Sequence, residues 1–425
     1  MTKVGSVKRG YTGPQREGGA GGHLAAIDVV RFLTIGGVIL VHSTSFANSD
    51  SSIVANGVLQ LAHVTRSVFL MLSGFVLTYS YLRRPLGRRA FWRRRYPLIL
   101  APYVTWSAIY FVADGEVHPT WSSLGSFVVD LSDAHAHFHL YFLLLTMQLY
   151  LVFPALMAAL RRWPKALAPA LVVTGVLQLA FTGAAEYGWR PAVLGLWFEH
   201  PSSWLFSYSF YVVAGIAAAA HFDAVSAWIK THYRLAGLSM AAAAFVGLGV
   251  YAFNIEVLGY APIKASAVFQ PANVIEVVAA TLSQFALGMW LTEKASAVRL
   301  AWLEKSSDVS FGVYLAHPLL LAAVLDVAVS SGLSSFLSAV PSPVMEIMIA
   351  FGLVPFLYTA TFAGISIARR TRLSLALTGR HGAKRPALDA SVPGEARDVP
   401  FGASRAASRT VGAAKSGDAA PVVLG

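Results

Sequence analysis

The chain is dominated by unbroken apolar runs of about 18 to 25 residues, the length at which an α-helix crosses hydrocarbon roughly 30 Å thick. The first is LAAIDVVRFLTIGGVILVHSTSF, residues 24–46. Nine more follow at about 57–82, 96–113, 139–160, 165–183, 203–220, 235–253, 272–292, 308–329 and 344–368. Composition agrees: 56% of residues are hydrophobic and 13% charged, against about 25% charged in soluble domains. A soluble enzyme with a long buried core would show more interruptions and an amphipathic period. The expected fold is therefore all-α, a polytopic membrane protein of about ten transmembrane helices.

The remaining charge orients the chain. Seven arginines crowd RRPLGRRAFWRRR, 83–95, three basic residues fall in RRWPK, 161–165, and RRTR follows the last span. The alternate loops carry Asp50, Asp114, Glu116, Asp130, Asp133, Glu186, Glu199 and Glu256, with Arg190 and Lys264 as basic exceptions. The positive-inside rule then places both termini and the arginine-rich loop in the cytoplasm. The net charge of +12 sits mainly beside the spans, so nucleic acid is not an expected partner; the lipid bilayer is. Residues 1–22 read as a disordered basic arm, 23–372 as the membrane domain and 373–425 as a disordered tail. The chain has no cysteine, which removes disulfides, thiolate ligands and an acyl-cysteine intermediate.

Against this background, ionisable residues inside the spans stand out. Each costs roughly 2.5–3.5 kcal/mol at a span centre on insertion scales. Arg31 and His42 lie eleven residues apart, three turns plus about 20°, which puts them on one helix face about 16 Å apart. Asp28 precedes Arg31 at the i,i+3 spacing of an ion pair. The second span carries His63 and Arg66 near its outer end, then Ser73-Gly74, whose small side chains suit close helix packing better than nucleophilic attack. His63 and Arg66 read equally as interfacial anchors or as site residues. In the ninth span Ser310, Tyr314 and His317 fall one above another on a helix face, and His317 is either a proton shuttle or a hydrogen-bonded packing residue. Glu276 and Asp326, near outer span ends, are expected to reach water. The HAHFH run, 135–139, matches no zinc spacing, and no metal is expected.

The order of these pieces resembles one family. D-x-x-R-x10-H in the first span, FLMLSGF at 69–75, an arginine-rich loop ending in R-x-R, HLYFLLLTMQLYLVFPAL at 139–156 and SFGVYLAHPLL at 310–320 resemble the acyltransferase-3 family of integral membrane acyltransferases. The TRSVFLMLSG run is most similar to the branch that modifies envelope glycans, while Tyr141 stands where the family usually has tryptophan. No SGNH-type hydrolase domain follows the spans, so transfer is expected to finish within the bundle.

The resemblance implies transfer of a short acyl group, acetyl or succinyl, from cytoplasmic acyl-CoA (acetyl-CoA first among donors) to a sugar hydroxyl, at the plasma membrane. Such an acceptor needs a general base, and neutral imidazole suits that task. By analogy with the family's R-x10-H histidine the base is His42, with Arg31 orienting the donor or stabilising charge on the thioester oxygen. Arg93, Arg94 and Arg95 are candidate ligands for the donor phosphates, although arginines there also serve topology. Asp28, His63, Arg66, His139, Ser310, Tyr314 and His317 are candidate supporting or acceptor-site residues. Two rivals remain open: acylation of a small hydroxylated metabolite, and a polysaccharide transporter or exporter without acyl chemistry. The sequence carries no GxSxG, Walker or dinucleotide motif.

Overall fold

The structure is a computed structural model that describes residues 24–115, 121–133, 137–188 and 195–382. The expected arm at 1–22 and most of the expected tail lie outside the described residues, as does His135 of the HAHFH run. Among the described residues there is no strand. The first half of the chain forms α1 (Ala25–Ala47), α2 (Ile53–Ala62), α3 (Val64–Arg83), α4 (Arg88–Ala113), α5 (Trp121–Asp133), α6 (Tyr141–Arg162) and α7 (Leu167–Tyr187). There follow α8 (Gly195–Glu199), α9 (Ser209–Ala220), α10 (Phe222–Thr231), α11 (Tyr233–Glu256), α12 (Pro262–Ala265) and α13 (Pro271–Lys294). The chain continues through α14 (Ala297–Ser330), α15 (Leu333–Leu337), α16 (Ser342–Met348), α17 (Val354–Ala368) and α18 (Ser374–Thr378). A π-helical turn, Ile349–Leu353, joins α16 to α17.

Nine stretches of described helix are long and apolar enough to span a bilayer, and α9 with its approach and α10, bent by 86°, makes a tenth if counted as one span. The expected all-α membrane architecture is thus what the chain adopts. Two boundaries differ from the sequence reading. The arginine-rich stretch is helical from Arg88, because the span that begins there continues as one helix to Ala113, so Arg93, Arg94 and Arg95 lie on α4 and not in a loop. The folded bundle also runs past 372, since α18 packs on α4.

α1 is the central helix, packed on α13, α14, α17 and α3. Small residues set how closely its neighbours approach. On α9, a Cβ on Gly215 would collide with the Met71 carbonyl and the Phe75 amide of α3, while Gly74 of α3 faces the Val212 carbonyl in return. Gly288 of α13 similarly meets the Ala26 backbone of α1. Lipid offers no hydrophobic drive for helix association, so such backbone-to-backbone contacts hold the bundle together. Ser73 donates to the Phe69 carbonyl at 2.8 Å, a helix-internal bond in keeping with its packing role.

Three irregularities break this helical regularity where chemistry is concentrated. α2 and α3 part at His63, the π-helical turn adjoins α1, and Pro318 sits inside α14.

Candidate active site

A cavity of about 60 Å³ opens inside the bundle beside the C-terminal half of α1. A single water needs some 10–15 Å³, so the space takes a small polar group and several waters. Its walls include His42 of α1, His63 at the α2–α3 break, Arg66 of α3, His139 and Tyr141 at the start of α6, and Tyr314 of α14. The structure therefore brings together five of the residues singled out in the sequence: His42, His63, Arg66, His139 and Tyr314. Val38, Val41, Phe69 and Phe142 complete an apolar lining.

His317 stands immediately behind this wall. Its ring stacks on that of His42 with centroids 5.4 Å apart, and lies 6.0 Å from that of His139. The neighbouring proline explains its orientation. Pro318 has no N–H to give to the carbonyl four residues earlier, Tyr314, and the His317 Nδ1 takes that carbonyl instead at 2.7 Å. A carbonyl can only accept, so Nδ1 carries the proton and Nε2 presents its lone pair. The same logic applies to His63, whose Nδ1 donates to the Ser266 carbonyl at 2.9 Å. Tyr314 donates its hydroxyl to the His139 carbonyl, tying α14 to the turn before α6. A further imidazole, His137, has its Nδ1 2.9 Å from that of His139 and its ring stacked on Tyr110 at 4.0 Å. Burial pushes His137 below the ordinary histidine range, with Asp114 opposing the shift.

Arg66 is the cation of the cavity. Its Nη1 donates to Ser202 Oγ at 3.1 Å and to Tyr208 Oη at 3.2 Å. The guanidinium carbon lies 5.5 Å from the Tyr141 ring centroid and 6.0 Å from that of Phe269. Cation–π attraction is strongest where the pair is desolvated, which gives Tyr141 a role beyond packing. Sequence reasoning passed over it as a departure from the family's tryptophan. A face that attracts cations is common to both side chains, and that was the available signal.

Arg31 belongs to a different neighbourhood. It does not line the cavity; its Nη1 donates to Ser307 Oγ at 2.9 Å and lies 3.9 Å from Asp28, so the expected i,i+3 pair forms, though stretched. Ser310 donates to the Ser307 carbonyl within its own helix and also lies away from the cavity wall. Of the three consecutive arginines on α4, Arg93 and Arg94 are exposed. Arg95 is half-buried and close enough to the Tyr150 hydroxyl to interact with it electrostatically. Glu276 overturns its expectation: it is 1% exposed. Gln60 donates to its carboxylate at 3.4 Å and to Asn273 at 2.7 Å, in a slot that only the absent side chain of Gly247 leaves open. Asp326 is exposed on the surface of α14. No group of three or more metal-ligating side chains occurs among the described residues.

A cavity walled by several imidazoles and a guanidinium, inside a helical membrane bundle, has the parts for proton abstraction and oxyanion stabilisation. The family model for the acyltransferase-3 acyltransferase domain matches residues 24–368. The chain belongs to that family. It is a membrane acyltransferase, and the matched stretch contains every residue of the cavity wall. No curated protein and no solved structure matches the chain.

Proposed function

We propose that this acyltransferase moves a short acyl group, acetyl or succinyl, from acyl-CoA to a hydroxyl of an envelope or exported polysaccharide, in the plasma membrane. The observation that carries this reading is the position of His42. It lies in the wall of a cavity that also presents a guanidinium and two further imidazoles, stacked on an imidazole whose own tautomer is fixed.

In this reading the acceptor O–H gives its proton to a ring nitrogen of His42 while its oxygen attacks the thioester carbonyl. The oxyanion that forms is stabilised by Arg66, whose charge is already in place and needs no reorganisation. As the tetrahedral intermediate collapses, the C–S bond breaks, and the thiolate takes the proton back from the His42 imidazolium. The products are the ester and the free thiol, and no proton is gained or lost overall. Arg31, about 16 Å along α1 from His42, serves the donor's route to the cavity, and the oxyanion role passes to Arg66. The arginine-bearing end of the bundle faces the cytoplasm in this proposal, where acyl-CoA is available. Arg95 turns inward to meet the donor, while exposed Arg93 and Arg94 meet it at the surface. His63, His139 and Tyr314 line the space for the acceptor hydroxyl.

Membrane vesicles supplied with radiolabelled acetyl-CoA and acceptor glycan test this. Label enters glycan with the wild type and falls at least 10²-fold with His42→Ala, since a positioned general base contributes about 10²–10⁴-fold. Equal labelling by the two proteins removes His42 as the base.

A further inference from the structure

At the opposite end of α1 from the cavity, three guanidinium groups from separate parts of the chain converge on residues 307 and 308 of α14, and a fourth lies close by. Arg31 bonds to Ser307. Arg369, just beyond α17, donates Nη1 to the Asp308 carbonyl at 3.0 Å. Arg380 forms an ion pair with the Asp308 carboxylate. Arg95, on α4, lies close enough to interact electrostatically with Arg31. Among the described residues, the carboxylates that interact with Arg31 there are those of Asp28 and Asp308. Burial, and after it the neighbouring Arg380, push Arg369 below the usual arginine range, with Asp308 opposing. Among the described residues, four cations facing two anions leave an excess of positive charge that suits a further anion.

Arg380 reaches this place by a built path. Trp106 of α4 donates its indole N–H to the Leu377 carbonyl at 3.1 Å, and the Ser374 hydroxyl donates to the carbonyl of Arg380 itself at 2.8 Å. Between them the chain turns at Gly379, with φ of 64°. A side chain there would be strained in that conformation and would collide with the Leu98 carbonyl. These contacts fold the chain back beneath the bundle. Yet the ion pair they deliver is nearly half exposed on both sides, and such pairs contribute little to stability. Those contacts hold the chain, and the pair is left with a guanidinium open to a ligand.

We propose that Arg380, delivered by α18 and held in readiness by Asp308, binds phosphate of the acyl donor together with Arg31, Arg369 and Arg95. Arg380 lies outside the matched domain, which ends at 368. The inference rests on the acyl-CoA reading above. Guanidinium presents a planar fork that matches phosphate oxygens two at a time. Asp308 occupies that fork until phosphate displaces it, so the carboxylate and the donor compete.

The competition separates a ligand from a structural strut. Equilibrium binding of coenzyme A to the purified full-length protein is measured for the wild type, Arg380→Ala, Arg380→Lys and Asp308→Asn. Arg380→Ala weakens binding about ten-fold or more, as expected for a lost charge-assisted contact, and Arg380→Lys falls between. Asp308→Asn breaks the same ion pair but frees the guanidinium, so it binds coenzyme A as tightly as the wild type or more tightly. If Arg380→Ala binds like the wild type, or if Arg380→Ala and Asp308→Asn weaken binding equally, Arg380 is not a donor ligand. If the wild type itself does not bind coenzyme A, this inference and the donor assignment both fall.

Discussion

Replacing Arg66 by methionine separates a catalytic cation from a structural one, because the two roles predict opposite relations between stability and rate. Both protein bonds of Arg66 use Nη1, to Ser202 and Tyr208. Nη2 and Nε therefore remain for a ligand in the cavity that Arg66 lines. If these donors meet the oxyanion, their loss removes about 2.7–4 kcal/mol of transition-state stabilisation, or 10²–10³ in kcat. Stability should not follow. An apolar side chain of similar length escapes the desolvation cost of a buried ion, and such replacements are often neutral or stabilising. The partners left behind are a serine and a tyrosine hydroxyl, not an uncompensated charge. The thermal midpoint in detergent is thus expected to stay within a few degrees of wild type while single-turnover acyl transfer collapses. Arg66→Lys keeps a positive charge but loses the fork, and should fall between the two. Loss of activity matched by a large drop in midpoint would show that Arg66 braces α3 against Tyr208 and takes no part in chemistry. Full activity in Arg66→Met would end the oxyanion assignment outright.

Two further outcomes follow from the packing and from the imidazole pair. Gly215→Ala is expected to destabilise by about 1–3 kcal/mol, since its new methyl meets the backbone of α3 and not a movable side chain. Gly249→Ala on α11, where nothing lies within 4 Å of the added carbon, should be neutral or slightly stabilising; thermal unfolding of both in one detergent checks the contrast, and equal shifts would contradict it. His317→Phe keeps a flat ring against His42 but removes the bond to Tyr314 and the free Nε2. It should lower kcat about ten-fold or more without changing the apparent affinity for the donor, and an unchanged kcat would reduce His317 to a packing residue.

The sequence showed the elements and the central motif well, because both depend on local pattern. Apolar length identifies spans, and an eleven-residue spacing places Arg31 and His42 on one face of α1 whatever surrounds it. What local pattern does not hold is which distant segment meets that face. Arg66 and Arg31 look alike as single arginines in apolar helices. Their fates differ because Arg66 meets Tyr208, 142 residues away, and Arg31 meets Ser307, 276 residues away. Glu276 was expected to reach water because it lies near a span end. Its burial depends on Gly247 of another helix, whose missing side chain opens the slot the carboxylate fills. Arg380 lay in a stretch whose composition resembles a tail, and only the contacts of α18 with Trp106 show otherwise.

One part of the site was nevertheless open to sequence reasoning and was missed. Irregular backbone is tolerated within a bilayer only where the groups it frees find other partners. Two carbonyls near the cavity are taken by imidazoles: His317 takes the Tyr314 carbonyl freed by Pro318, and His63 the Ser266 carbonyl between α12 and α13. A histidine directly before a proline in an apolar helix therefore carries more information than either residue alone. The proline leaves the carbonyl three residues before the histidine without its usual helical donor, within reach of the ring. Bonding there fixes the protonated nitrogen and leaves the other with its lone pair. In α14 the ring held in this way stacks on His42 of α1. The His317-Pro318 step could have pointed to a paired, tautomerically fixed imidazole before any coordinates, and it would have favoured the proton-handling reading of His317 over simple packing.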